Sequence, residues 1–173
     1  IYDIISNQEL IYEPGIDSKY SDLGMILLMD ISEKVTGRKF EELVRAWILN
    51  PLDMNNSFFN PSKDLFYKIA PTEEDYVFRD TLIHGVVHDE NARGLNGVAG
   101  HAGLFSTAKD LAIFSQMMLN RGLYGWKRIF KQGTVDLFTS RVNLVSESSR
   151  CLGWDSPSGA SSGGVYLSDA SFG

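Results

Sequence analysis

The chain has 173 residues, 43% of them hydrophobic and 22% charged, so it can bury a core of about one domain and is not a disordered chain. Its 16 Lys and Arg against 22 Asp and Glu leave a net charge of −6, which disfavours a nucleic-acid partner. The single cysteine excludes an internal disulfide, and the longest apolar run, residues 25–29, excludes a membrane span in this chain.

The first predicted helix follows an irregular N-terminal segment. Residues 1–19 contain a Pro-Gly turn signal and are predicted to form a connecting segment. Apolar residues at three- and four-residue spacing predict a helix over residues 22–36. Ser21 or Asp22 is placed to cap its start and Gly37 to stop it.

A second apolar stripe covers residues 40–48 and ends before Pro51, because proline disfavours a helical conformation in its predecessor. Two helices joined so tightly are expected to pack as a hairpin. Residues 51–106 lack sustained periodicity and are predicted to form a long ordered loop, a length that is uncommon without a function or a partner surface.

The C-terminal third is predicted to contain two further helices and then strands. Apolar spacing predicts helices over residues 107–120 and 132–141. After Arg150, short strands are expected around a Ser-Gly-rich turn at residues 156–164, with the last strand at residues 165–167.

Tyr20 and Asp22 form the first candidate site, at the start of the first predicted helix. A tyrosine phenol acts as a base near neutral pH only where cations and hydrogen-bond donors stabilise the phenolate. A helix N-terminus supplies about 0.3 to 1 kcal/mol, which is too little by itself, so lysines from another segment would have to contribute. The alternative is a helix cap with a tyrosine packed beside it.

Ser106 and Lys109 form the second candidate. They match the Ser-x-x-Lys pattern of acyl-enzyme hydrolases, in which the lysine one turn later accepts the serine proton. Ser106 or Thr107 also precedes an amphipathic stripe, and Asp110 follows Thr107 by three residues, as in a capping box. The capping interpretation is favoured, with Ser106 and Lys109 kept as the lower-ranked nucleophile pair.

Histidines and carboxylates form a third cluster: His84, His88, Asp89 and Glu90, with His101 further along. The four-residue histidine spacing suits a metal on a helix, but the intervening Gly-Val-Val is poor helix-forming sequence. We interpret these side chains as hydrogen-bonding groups that hold a loop in place, and we assign no metal and no cofactor.

Seven short motifs occur in an order typical of one enzyme family. They are Pro14-Gly15, Tyr20-Ser21-Asp22-Leu23-Gly24, Val35-Thr36-Gly37, Pro51-Leu52-Asp53-Met54, His88-Asp89-Glu90-Asn91-Ala92, the glycine-rich stretch 97–107 and Asp110-Leu111-Ala112. Together they resemble the serine β-lactamase and penicillin-binding-protein-like family, specifically the class C-like branch with its carboxylesterases and D-amino-acid peptidases. The resemblance covers nearly all of residues 14–122.

The resemblance implies an α+β, β-lactamase/transpeptidase-like fold, in which a mainly helical domain is paired with an α/β domain built on an antiparallel sheet. Residues 1–19 would be a connecting segment. Residues 20–145 would be the helical domain, including the long loop at 51–106, and residues 146–173 the truncated start of the sheet domain.

The resemblance also implies roles for the first candidate pair. In the family, Ser-x-x-Lys, Tyr-x-Asn and Lys/His-Thr-Gly motifs meet in one cleft, and Tyr20-Ser21-Asp22 matches the second. Tyr20 would relay a proton between nucleophile and leaving group, and Asp22 would contact the substrate amide and the active-site lysine. Asp22 replaces the usual Asn with an anion that only accepts hydrogen bonds, which disfavours β-lactams more than esters or peptides.

The other two motifs are not found at the expected places, so we expect an internal fragment that is inactive by itself. The resulting hypothesis is that the parent protein is a serine hydrolase acting by acyl-enzyme transfer on an ester, a β-lactam or a D-amino-acid peptide. The alternative is a catalytically inactive binding module whose glycine-rich loop, residues 94–103, contacts a partner or a peptidoglycan-like ligand.

Both hypotheses predict a small-molecule or peptidoglycan-like ligand. The family resemblance adds an expected location in the cell envelope, in the periplasm or outside the cell. A truncated sheet would leave unpaired strand edges, so we expect the isolated chain to be marginally stable, dimeric or domain-swapped.

Overall fold

The computed structural model describes residues 1–145, 148–158 and 166–173. Six α-helices are assigned there: α1 Tyr2–Ser6, α2 Asp22–Thr36, α3 Phe40–Val44, α4 Glu90–Gly94, α5 Ala108–Leu119 and α6 Gln132–Thr139. Six two-residue strands accompany them: β1 Phe58–Phe59, β2 Glu74–Asp75, β3 Thr81–Leu82, β4 Leu104–Phe105, β5 Leu123–Tyr124 and β6 Lys127–Arg128. In the described part of the chain, no helix is long and apolar enough to cross a membrane.

The chain divides into two compact units. The first comprises Ile1–Gln8 and Ser21–Ser115, and the second comprises Glu9–Tyr20 and Gln116–Gly173. The domain limits predicted after residues 19 and 145 stay predictions.

Helix α2 is the longest helix of the first unit and has the limits predicted from the sequence. The Ser21 hydroxyl accepts a hydrogen bond from the Leu23 N–H at 3.2 Å, which satisfies one of the free donors of the first turn. Gly37 ends the helix in a left-handed conformation with φ of 66°, where a side chain would be strained. Both predicted boundary signals are confirmed.

The second predicted helix is present but is not uniformly α-helical. Helix α3 covers Phe40–Val44 and continues as a π-helical turn over Arg45–Leu49, immediately before Pro51. It contacts α2, and the Glu33 carboxylate of α2 accepts a hydrogen bond from the Phe40 N–H at 2.7 Å. The predicted tight pairing of the two helices is therefore confirmed.

The long loop predicted at residues 51–106 contains short regular elements. A 3-10 helix covers Lys63–Lys68, β2 pairs with β3, and β1 pairs antiparallel with β4 so that Phe58 is opposite Phe105. A buried apolar core lies between these elements and the helices of the first unit: Ile26, Met29, Leu43, Leu49, Leu52, Met54, Ile83, Val87, Ala92 and Ala99.

The second unit is built around the end of α5, the β5–β6 hairpin and α6. Its buried apolar residues are Met117, Met118, Val135 and Cys151. The predicted helices over 107–120 and 132–141 are confirmed as α5 and α6, with limits that differ by one or two residues.

The prediction of strands after Arg150 is wrong for the residues that the structure describes. Within residues 148–158 and 166–173 the structure has a single isolated bridge, between Arg150 and Asp155, and reciprocal backbone hydrogen bonds between Asp155 and Gly173. Residues 166–167, predicted as part of a strand, have no regular structure. Val165 and most of the Ser-Gly-rich turn lie outside the described residues. Apolar character alone does not form a strand, because a ladder also needs a partner strand in register.

Candidate functional site

Asp22 lies at the N-terminus of α2, directly after the capping residue. Its side chain is half-buried, and it is an acidic residue in the first helical turn. The helix dipole and the free N–H groups make the first turn a favourable position for an acidic side chain.

Asp89 is the N-cap of the short helix α4. Its Oδ1 accepts a hydrogen bond from the Ala92 N–H at 2.7 Å. Partial burial raises the pKa of the Asp89 carboxyl, but the Ala92 N–H and the His101 side chain outweigh this effect, so the pKa lies below its ordinary value. Asp89 is therefore held as a carboxylate whose orientation is fixed by α4.

His101 extends from the glycine-rich loop and is almost completely buried, with 4% of its side chain exposed. Its Nε2 lies 2.8 Å from Oδ1 of Asp89, while its buried Nδ1 has no hydrogen-bond partner among the described residues. A buried N–H without an acceptor is costly, so we assign the proton to Nε2, which donates it to Asp89.

Asp22, Asp89 and His101 converge in the first unit. One ligand-type atom from each lies within 4.8 Å of the other two. Two carboxylates and an imidazole are a donor set that suits Zn²⁺, but a metal-binding histidine usually donates its other ring N–H to an acceptor. His101 Nδ1 has none in the described chain, so the geometry favours a hydrogen-bonded cluster whose two carboxylates attract a cationic group.

The glycine-rich loop holds His101 against α2. A Cβ at Gly100 would lie 2.2 Å from the Met25 carbonyl oxygen, and one at Gly103 would lie 2.4 Å from the Gly97 carbonyl oxygen. Such approaches require glycine at both positions. Gly97 and Ala99 are buried, so this part of the loop packs inward and is poorly suited to the ligand-presenting role of the binding-module hypothesis.

Tyr20 belongs to the second unit and is 77% exposed. The Arg150 guanidinium carbon lies 5.0 Å from the centre of its ring, in a cation–π arrangement. A sealed, apolar position for this ring would have excluded proton transfer, and the structure instead leaves the phenol accessible within its unit.

Ser106 and Lys109 are placed as expected for a helix start. The Ser106 hydroxyl is 2.7 Å from that of Ser57, and the Thr107 hydroxyl accepts a hydrogen bond from the Asp110 N–H. Lys109 is exposed. The capping interpretation agrees with this geometry, except that the Asp110 carboxylate accepts from Ser57 and from the Asn56 N–H instead of reaching back to Thr107.

His84 and His88 have separate partners. His84 Nε2 lies 2.9 and 2.7 Å from the carbonyl oxygens of Phe66 and Ile69, and His88 pairs with Glu73 at 3.0 Å. The interpretation of these histidines as groups that hold a loop in place agrees with these contacts.

Sequence reasoning missed the convergence of Asp22, Asp89 and His101. Asp89 could have been identified as a helix cap, because it precedes a short helix-compatible stretch. His101 was identified together with Asp89, but no local pattern places either residue beside Asp22, because only the tertiary structure brings the three segments together.

Two curated relatives match most of this chain. A protein of Escherichia coli K12 that is named as a D-alanyl-D-alanine carboxypeptidase is 38% identical over 165 residues, covering 88% of this chain and 38% of the relative. An N-acetylmuramyl-L-alanine amidase of Bacillus subtilis is 38% identical over 156 residues, covering 83% and 35%. The chain thus spans less than two fifths of the length of these relatives.

Solved structures share the fold. A β-lactamase/D-alanine carboxypeptidase from Pseudomonas syringae matches 88% of this chain and 39% of its own, with a TM-score of 0.63 at 19% identity. The octameric penicillin-binding protein homologue from Pyrococcus abyssi covers 75% and 27%, with a TM-score of 0.54 at 25% identity. The predicted β-lactamase/transpeptidase-like fold is confirmed. The β-lactamase family model matches residues 1–166, and together with the relatives it shows that this chain belongs to the β-lactamase family.

Proposed function

We propose that the full-length protein is a serine hydrolase that forms an acyl-enzyme with a peptide ending in D-alanyl-D-alanine. Family membership supports acyl transfer to a serine. The Escherichia coli relative is named for this peptide, and the Bacillus subtilis relative is named for another amide next to an alanine. Esters and β-lactams are the remaining acyl donors of the proposal.

The observation that carries this proposal is the exposed phenol of Tyr20 two residues before Asp22. An accessible phenol can pass a proton from the attacking serine to the leaving amine, as a general base and then a general acid. The Arg150 guanidinium lies against the ring of Tyr20 and places a positive charge beside it. Asp22 supplies a carboxylate that holds an active-site ammonium by charge and hydrogen bonding.

In this proposal the attacking serine and its lysine lie in polypeptide outside these 173 residues. The curated relatives are more than twice as long as the part that matches, which leaves room for the Ser-x-x-Lys motif and for the Lys/His-Thr-Gly motif. A location in the cell envelope and a peptidoglycan-like substrate belong to the same proposal. Inactivity of the chain alone and dimerisation stay predictions.

The test uses the full-length protein and two readouts: labelling by a fluorescent penicillin and release of D-alanine from a D-alanyl-D-alanine peptide. Tyr20→Phe removes the proton-transferring hydroxyl and is expected to lower the acylation rate by about 10²- to 10⁴-fold. Tyr67→Phe is the matched control, because Tyr67 is 78% exposed and has the Lys68 ammonium 5.3 Å from its ring centre.

The control is expected to acylate within about twofold of wild type. If the wild-type protein forms no acyl-enzyme with penicillin and releases no D-alanine, the proposed acylation by D-alanyl-D-alanine peptides is wrong. If Tyr20→Phe and Tyr67→Phe behave alike, the hydrolase assignment stands but Tyr20 is not its proton relay.

A further inference from the structure

His101 and Asp89 form a pair beside Asp22, the residue of the cluster to which the family resemblance assigns a catalytic role. Asp89 Oδ1 accepts two hydrogen bonds, from the Ala92 N–H and from His101 Nε2. Its orientation is therefore set both by α4 and by the imidazole. Because His101 is buried and its loop contacts α2 at Gly100, the imidazole cannot turn without moving one of these neighbours.

Asp22 is affected by this pair through both charge and position. Its carboxylate lies within 4.8 Å of the ligand-type atoms of Asp89 and His101. Asp22 and Asp89 repel one another as anions, so the distance and direction of Asp89 decide where the Asp22 carboxylate rests. The Nε2–H of His101 draws Asp89 toward the imidazole and fixes that direction.

We propose that His101 and Asp89 are positioning residues for Asp22, which they hold in the orientation that receives the active-site ammonium. This inference rests on the proposed function. His101 acts through Asp89 and does not touch the substrate. Its contribution is the hydrogen bond that Nε2–H donates to Asp89.

The substitution series follows from this geometry. The side-chain N–H₂ of glutamine reaches about as far as histidine Nε2, so His101→Gln keeps the donor, whereas His101→Leu removes it at similar volume. Each substitution is made in the full-length protein, with Asp22 intact and with Asp22→Ala. Penicillin acylation is followed as a second-order rate constant.

We expect His101→Gln to acylate within about threefold of wild type and His101→Leu to be at least tenfold slower. With Asp22→Ala, His101→Leu is expected to change the rate less than threefold, because residues that act as one unit are not additive. His84→Leu is the control: it removes another Nε2 hydrogen bond from the same unit, and it should lower thermal stability while leaving the acylation rate within threefold.

A second readout does not depend on catalysis. The ¹³C resonance of the Asp22 carboxyl and the ¹⁵N–¹H resonance of the Leu23 amide report the N-terminus of α2. Both are expected to shift in His101→Leu, to stay near their wild-type positions in His101→Gln and to be unaffected by His84→Leu. If the wild-type protein does not acylate, the proposed function fails, and these resonances still decide the positioning role.

Two results would overturn the inference. One is a folded His101→Leu protein with unchanged Asp22 and Leu23 resonances. The other is the same slowing by His101→Leu in the presence and in the absence of the Asp22 carboxylate, which would mean that His101 supports the fold in general and not Asp22 in particular.

Discussion

At the scale of single residues, the two carboxylates of the cluster lie in different surroundings. Asp22 lies in the first turn of a 15-residue helix, while Asp89 accepts hydrogen bonds from the Ala92 N–H and His101 Nε2. Those donors place the pKa of the Asp89 carboxyl below its ordinary value despite partial burial. The ionisation of Asp89 therefore contributes to the pH dependence of the free energy of unfolding.

Asp89→Asn tests this contribution, because asparagine also caps helices well and keeps one oxygen as an acceptor while it removes the charge. A carboxyl whose pKa is lower in the folded state stabilises the fold above its unfolded pKa of about 3.9, and the contribution is lost as pH falls through the folded pKa. We expect urea unfolding to show wild type more stable than Asp89→Asn by about 1 kcal/mol at pH 7. That difference should shrink below pH about 3.9, and a difference that grew on acidification would contradict the assignment.

The local sequence predicted where Asp22 lies, but not that Asp89 and His101 lie beside it. Asp22 follows a helix cap and lies in a recognisable motif, so its place at a helix N-terminus could be predicted from a few adjacent residues. Asp89 and His101 were interpreted as loop-holding groups, which describes the contact between them. That this contact lies beside Asp22 depends on how the glycine-rich loop packs on α2, and local patterns carry no such information.

At the scale of elements, helices with strong boundary signals were the most predictable. Helix α2 has both a side-chain cap at Ser21 and a left-handed Gly37, and its predicted limits are confirmed. The π-helical turn over Arg45–Leu49 has the same apolar spacing as an α-helix within one turn, so periodicity cannot identify it. The two-residue strands are too short to show alternation.

Helix α2 also offers an element-scale prediction at its first turn. Gly24 is exposed, and a Cβ placed there would meet no atom within 4 Å. Gly24→Ala should stabilise the protein by about 0.5 to 1 kcal/mol, because alanine loses less backbone entropy than glycine in a helix. Urea unfolding measures the change.

Gly37→Ala is the matched control on the same helix. Its Cβ would also meet no atom, but φ of 66° strains any residue with a side chain, so this substitution should destabilise by about 1 kcal/mol. If the free energy of unfolding rises in Gly24→Ala and falls in Gly37→Ala, then backbone conformation, and not packing, decides the effect of each substitution. Destabilisation by Gly24→Ala would mean that another part of the full-length protein covers this face of α2.

At the scale of the whole molecule, the helical segments could be predicted from the sequence, whereas each compact unit joins segments that are distant along the chain. Residues 9–20 join residues 116–173 in one unit, although the intervening chain belongs to the other. Pairing of distant segments leaves no periodic signal, since it depends on which apolar surfaces find one another. The same reason explains why strands were predicted after Arg150 where the described chain has an isolated bridge.

The rate at which the single cysteine of the chain is labelled can measure how tightly the second unit is packed. Cys151 is 7% exposed, and its Sγ donates to the carbonyl oxygen of Thr139 at the end of α6. Burial, and then the charge of Asp155, raise the pKa of the thiol, which lowers the fraction of reactive thiolate. We therefore expect Ellman's reagent to label the native protein at least tenfold more slowly than the protein unfolded in urea.

Labelling under native conditions should then require opening of the packing around α6. Val135 lies in α6 and is 3% exposed, so Val135→Ala should cost about 2 kcal/mol and speed labelling up to about thirtyfold. Leu137→Ala is the control, because Leu137 lies in the same helix and is 60% exposed, and it should change the rate less than threefold. Equal acceleration by both substitutions would show that Cys151 becomes accessible by a local movement that leaves the core of the second unit intact.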